Sequence, residues 1–143
     1  MTVARILREK GMEVITAAAH QTLRDAAQIL ANRRIGAVVV SDPAGAPLGI
    51  LSERDIVRAI AQEGAAALDA PVSSHMTAKI VTTTEDAPIH STMEAMTEGR
   101  FRHLPVLRGD KLVAVISIGD VVKIHIESIE NEHRALRDYI ASA

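Results

Sequence analysis

The sequence predicts an α/β (α+β) protein of two tandem β-α-β-β-α halves related by a pseudo-two-fold axis, with an extended C-terminal helix. Three observations predict this. The stretch Gly49-Ile50-Leu51-Ser52-Glu53-Arg54-Asp55 returns 65 positions later as Ala114-Val115-Ile116-Ser117-Ile118-Gly119-Asp120. Ile89, Met93 and Met96 repeat Leu23, Ala27 and Leu30 at a shift of 66, and Leu104-Pro105-Val106 repeats Val38-Val39-Val40 at the same shift. The shift then falls to 65 after the hairpin, so the first hairpin loop is one residue longer. An insertion confined to a loop between matching elements marks an internal duplication.

Taken in order, Val14-Ile15-Thr16 predicts the first strand. Thr22 opens a helix in which Leu23, Ala26, Ala27 and Leu30 recur at helical spacing, with Asp25 placed to complete a capping pattern. That helix ends near Arg33 or Arg34, before Gly36. Ala37-Val38-Val39-Val40 is a continuous apolar, largely β-branched run, as in a buried strand. Asp42-Pro43-Ala44-Gly45-Ala46-Pro47 is turn chemistry, and Leu48 to Leu51 closes a hairpin. From Ser52, Ile56, Val57, Ile60 and Ala61 give a second helix that stops by Gly64. Residues 65–74 connect the halves, which we place at 1–68 and 69–143.

In the second half Ile80-Val81-Thr82 takes the part of Val14-Ile15-Thr16. In each half a helix joins the first two strands, which predicts a parallel pair with a right-handed crossover. The halves bury against each other the faces that neither covers alone. In the final helix Val122, Ile126, Ile129, His133, Leu136 and Ile140 are spaced 4, 3, 4, 3 and 4, a heptad seam. The seam lies either on its own domain or against a second copy, and His133 argues against a fully dry contact.

Composition excludes several functions. The aromatic residues are Phe101 and Tyr139 alone, too few to stack single-stranded bases. A net charge of −2 with no basic block argues against duplex binding. With no cysteine there are no disulfides, thiolate metal sites or cysteine nucleophiles. The six histidines are scattered without metal-ligand spacing, and no P-loop or G-x-G-x-x-G is present. No apolar run reaches membrane length and no leader pattern opens the chain, so a cytoplasmic protein without membrane contact is expected.

The repeated Ser-x-x-Asp carries the chemistry. A strand running into a hydroxyl-led helix start turns backbone N–H groups toward anions beyond the strand end. The same pattern is also an ordinary N-cap, in which both side chains satisfy orphan donors. Duplication of the whole motif favours two related pockets.

Ile35-Gly36-Ala37-Val38-Val39-Val40 with Gly49 to Asp55, and Arg102-His103-Leu104-Pro105-Val106 with Val115 to Val122, resemble a CBS-domain pair, the Bateman module, in its short stand-alone bacterial form. The resemblance spans essentially the whole chain. It implies a non-catalytic regulatory module that binds adenosine-containing ligands (AMP, ADP, ATP, NAD or S-adenosylmethionine) in clefts between the halves. It also implies a homodimer and an effector protein that reads the change in packing.

By the same resemblance, the ribose hydroxyls fall to Asp55 and Asp120, and phosphate to Ser52 and Ser117. The adenine slots fall to Thr16 with Ile35, Gly36 and Ala37, and to Thr82 with Arg102, His103, Leu104 and Pro105. The two sites are expected to differ. Arg54 can pair with phosphate in the first, whereas Gly119 stands there in the second, so that Lys123, Arg100 and Arg102 supply the missing charge. Ala114 in place of Gly49 crowds close backbone approach. The alternative is a structural or interaction dimer module with vestigial pockets. No nucleophile–base pair or paired-acid constellation supports an enzyme.

Overall fold

The computed structural model describes residues 1–142. It contains two three-stranded sheets, ordered β1-β2-β3 and β4-β5-β6. The first comprises β1 (Thr16–Ala18), β2 (Ala37–Ser41) and β3 (Pro47–Ser52). The second comprises β4 (Thr83–Thr84), β5 (His103–Arg108) and β6 (Lys111–Ser117). In each, the first pair is parallel and the second antiparallel. The duplication is exact enough in space that a register shift after Val40 is repeated after Val106, 66 residues on.

Helices α2 (Leu23–Arg33) and α4 (Ile89–Gly99) make the crossovers, while α3 (Glu53–Glu63) and α5 (Ile118–Ser142) follow the hairpins. Thr22 and Asp25 form a reciprocal capping box on α2. Both crossover helices end on an arginine in the left-handed region, Arg34 at φ 54° and Arg100 at φ 55°. A side chain there costs about 1–2 kcal/mol that a glycine would not.

The first strands lie slightly later than expected. β1 is Thr16–Ala18 rather than Val14–Thr16, and β4 is only Thr83–Thr84, so Thr82 stays outside the sheet. The proline explains the shorter strand. Thr16 pairs with Val39, but Val39 is matched by Pro105, which has no N–H for a parallel partner.

An unexpected helix, α1 (Val3–Lys10), opens the chain. Its Val3, Ile6 and Leu7 are buried in the second half's core beside Leu104, Ile116 and Ile124. Reciprocally, Ala67 and Val72, in 3-10 turns of the connection, sit in the first half's core with Leu23, Val38 and Leu51. The same main-chain bond anchors both exchanges: Val3 N–H donates to Ala87 O at 2.9 Å, and Val72 N–H to Gln21 O at 2.7 Å. By packing, residues cross the boundary expected at 68/69 in both directions: the second core holds Val3, Ile6 and Leu7, and the first holds Val72.

The expected seam turns away from the chain's own core. Val121 and Ile124 are buried, but Val122, Ile126, Ile129, Leu136 and Ile140 are exposed, and all of 131–142 stands in the open.

Candidate functional site

The two Ser-x-x-Asp motifs fold alike. Ser52 N–H donates to Asp55 Oδ2 at 2.8 Å and Asp55 N–H to Ser52 Oγ at 3.3 Å. Ser117 N–H donates to Asp120 Oδ2 at 2.8 Å and Asp120 N–H to Ser117 Oγ at 3.2 Å. The capping role is therefore real in both halves. The main-chain anion site is thinner than the motif implied, because the first helical N–H is also spent: Glu53 donates to Gly36 O, and Ile118 to Arg102 O. Among the described residues no partner takes the Arg54 N–H.

Each motif borders a composite cleft through its serine; Asp55 lines its cleft, whereas Asp120, bonded by Lys10, is not among the residues lining the other. The Asp55 cleft, about 460 Å³, sets Ile50, Ser52, Arg54 and Asp55 from the first half against Ile80, Val81, Phe101, Arg102 and Pro105 from the second. The other, about 360 Å³, sets Val115 and Ser117 against Ile15, Ile35 and Gly36. The expected pairing of slot and carboxylate within one half is thus corrected: the slot of each half serves the helix start of the other. Gly36, Ala37 and His103 line both clefts and form their common wall. Gly36 leaves room there, since a Cβ would lie 3.0 Å from Glu53 Oε1 and 3.1 Å from His103 Nε2, and those side chains would have to give way.

The crossing redistributes charge. Arg100 and Arg102, expected to serve Asp120, line the Asp55 cleft together with Arg54, Arg58 and Lys79. Against Glu53 and Asp55 that leaves a net +3 (five cations minus two acids) on a chain of net −2. Asp55 is nearly buried and lines this cleft, and the nearest guanidinium, that of Arg58, is 3.8 Å from Oδ1.

The second cleft is arranged differently. Lys10 Nζ donates to Asp120 Oδ2 at 2.7 Å and to Val115 O at 3.0 Å. Burial works against the Asp120 charge, but the bonds from Lys10 and Ser117 outweigh it and hold the carboxyl below its ordinary range. Burial, helped by the Lys10 charge, lowers the pKa of His103, which keeps the ring neutral near pH 7.

Several expected site residues fall outside the cavities. Leu104 is 1% exposed and belongs to the second core. Lys123 is solvent-facing, 3.8 Å from Glu9. Thr16 and Thr82 are exposed and line neither cleft; the preceding residues Ile15 and Val81 do. Sequence reasoning missed Lys10, Arg33, Arg34, Arg58 and Lys79. The 66-residue spacing of Arg34 and Arg100 was a legible signal for Arg34. Lys10 had none, because its site is built by the other half.

Two half-domains that exchange segments and share two crossed clefts define a paired ligand-binding module. The CBS domain family matches residues 3–62 and 72–127, and the chain belongs to that family. A crystal structure of a CBS-domain containing protein from Agrobacterium tumefaciens is 44% identical, with TM-score 0.85 over 87% of this chain and 99% of that one. A CBS domain protein from Pyrobaculum aerophilum, complexed with AMP, is 30% identical, with TM-score 0.74 over 84% of this chain and 89% of that one. A mitochondrial CBS domain-containing protein of Arabidopsis thaliana is 30% identical over 97% of this chain and 71% of its own length. Among the described residues no helix is long and apolar enough to cross a membrane.

Proposed function

We propose that the chain is a non-catalytic cytoplasmic regulatory module that binds a phosphorylated adenosine ligand in the Asp55 cleft and signals to an effector protein by a change in packing. The observation that carries this is the charge pattern of that cleft. A carboxylate suited to a ribose diol is flanked by Arg54, Arg58, Lys79, Arg100 and Arg102. Such a field favours AMP, ADP or ATP over S-adenosylmethionine, and it makes binding fall as salt rises. A ligand held between the two halves shifts their packing only by its difference in affinity for the two arrangements.

Calorimetry with AMP, ADP, ATP, NAD and S-adenosylmethionine tests the reading. Affinity should rise with phosphate number and fall with salt. No binding of any of the five sinks the reading, and a preference for S-adenosylmethionine sinks its phosphate part.

We further propose a homodimer. Val57 on α3 and Val122 on α5 hold equivalent positions, both exposed, and the α5 seam continues past the domain. A second copy offers the matching heptad surface. Ile129→Glu should convert the dimer to monomer in sedimentation; an unchanged mass removes the seam from the interface. The same exposed seam supports the second reading, an interaction module whose clefts are vestigial. Removing residues 128–143 tests that reading: a partner lost while any ligand binding is unchanged makes the C-terminal helix, and not the clefts, the working surface.

A further inference from the structure

We propose that Lys10, which lines the second cleft, is a resident competitor there, covering the Asp120 carboxylate behind it until a diol-bearing ligand displaces the amine, so that the Asp55 cleft of each chain fills first. The proposal rests on the adenosine reading above. Its basis is a difference between equivalent positions. In the first cleft, Ile50 O accepts the main-chain N–H of Thr77 at 2.9 Å, and among the described residues no lysine reaches Asp55, whose nearest cation is Arg58 at 3.8 Å. In the second, the matching Val115 O and Asp120 are both taken by one side-chain amine, at 3.0 and 2.7 Å.

Sequence explains the substitution of donors. Thr77 O lies 2.7 Å from where a Cβ on Gly49 would stand, so the connecting backbone can approach that strand only over a glycine. Ala114 occupies the matching place, fully buried, and its methyl keeps a backbone off. A long side chain spans the gap instead. Helix α1 delivers it, because Val3, Ile6 and Leu7 are fixed in the second core and hold Lys10 at high local concentration. The Lys10 side chain is 42% exposed, so the pair can exchange with a ligand. Once displaced, the ammonium stays at the cleft mouth, where an anionic ligand regains part of the loss and an uncharged one does not.

The test uses full-length Asp55→Asn, which silences the first cleft while keeping a side chain able to cap α3, with and without Lys10→Met. Calorimetry with adenosine should show about five-fold tighter binding in the double variant, near the most an exposed ion pair supports. The gain should be smaller for ADP, and Lys10→Arg should restore the parent affinity. NMR titration of Asp120 reads the ion pair itself: its carboxyl pKa should rise in Lys10→Met. Adenosine affinity that is unchanged or weaker without Lys10 overturns the proposal. If the wild-type chain binds neither adenosine nor ADP, the adenosine reading falls and takes the competitor role with it, whatever the carboxyl titration shows.

Discussion

The two clefts are built from the same parts in the same register, yet only at the second is the carboxylate bonded by a lysine. At the first, Gly49 lets the backbone at Thr77 close against β3, so the hydrogen bonds of Ile50 are met by main chain while five cations line the cleft around Asp55. At the second, one methyl at Ala114 and one amine at Lys10 replace that arrangement, and Asp120 begins the cycle already paired. A duplicated site can thus diverge without losing its scaffold. The difference rests on what fills the strand edge rather than on the Ser-x-x-Asp motif.

The largest effect should come from the carboxylates. Asp55→Ala removes a charge-assisted partner for the diol, worth about 1.5–3 kcal/mol, and should weaken AMP binding at least ten-fold by calorimetry. Asp120→Ala should cost less, since that group already has a partner in the empty chain. Equal losses would erase the asymmetry.

Next comes the strand edge. Gly49→Ala drives a Cβ to 2.7 Å from Thr77 O and should destabilise the fold by about 1–3 kcal/mol in urea unfolding. Ala114→Gly should cost less than about 1 kcal/mol.

A third comparison sets stability against binding. Arg100→Gly and Arg34→Gly each relieve a left-handed side chain and should stabilise by about 1 kcal/mol. Only Arg100→Gly should flatten the salt dependence of ADP binding to the Asp55 cleft, because Arg34 lines the other one.

Acid should act in two small steps, read from thermal melts across pH. The His103 pKa is lowered by folding, so the unfolded chain binds the proton more readily. Stability should fall as pH drops below about 6.5, and His103→Gln should remove that step. Asp120 is also lowered, so its contribution is present above about 3.8 and lost as pH falls through the depressed folded value. Lys10→Met should shrink the lower step, since the Ser117 bonds to Asp120 remain.

The fold was largely legible because a repeat declares itself. The constant shift located β2, β3, β5 and β6, and the capping patterns located α2 and α3. Two errors have physical causes. Thr82 follows Thr16 in sequence but not in structure, because Pro105 withholds the donor that Val39 has. Helix α1 went unread because it is one short helix whose partners lie some eighty residues away, although Val3, Ile6 and Leu7 carry the spacing. The site was legible residue by residue but not as pairs. Sequence arithmetic matches each half to itself, while the clefts join one half to the other, which is why Arg100 and Arg102 were assigned to the wrong carboxylate.

The packing of Val3–Leu7 into the second core, and of the connection at Ala67 and Val72 into the first, has one more result. A chain severed in the surface turn around Gly64 should give two fragments that are each poorly ordered alone, since each core would lack a strip of its wall. Mixed, they should reassemble into a nicked native particle. Such an architecture makes the tandem pair, and not the single repeat, the smallest piece of the chain expected to fold unaided.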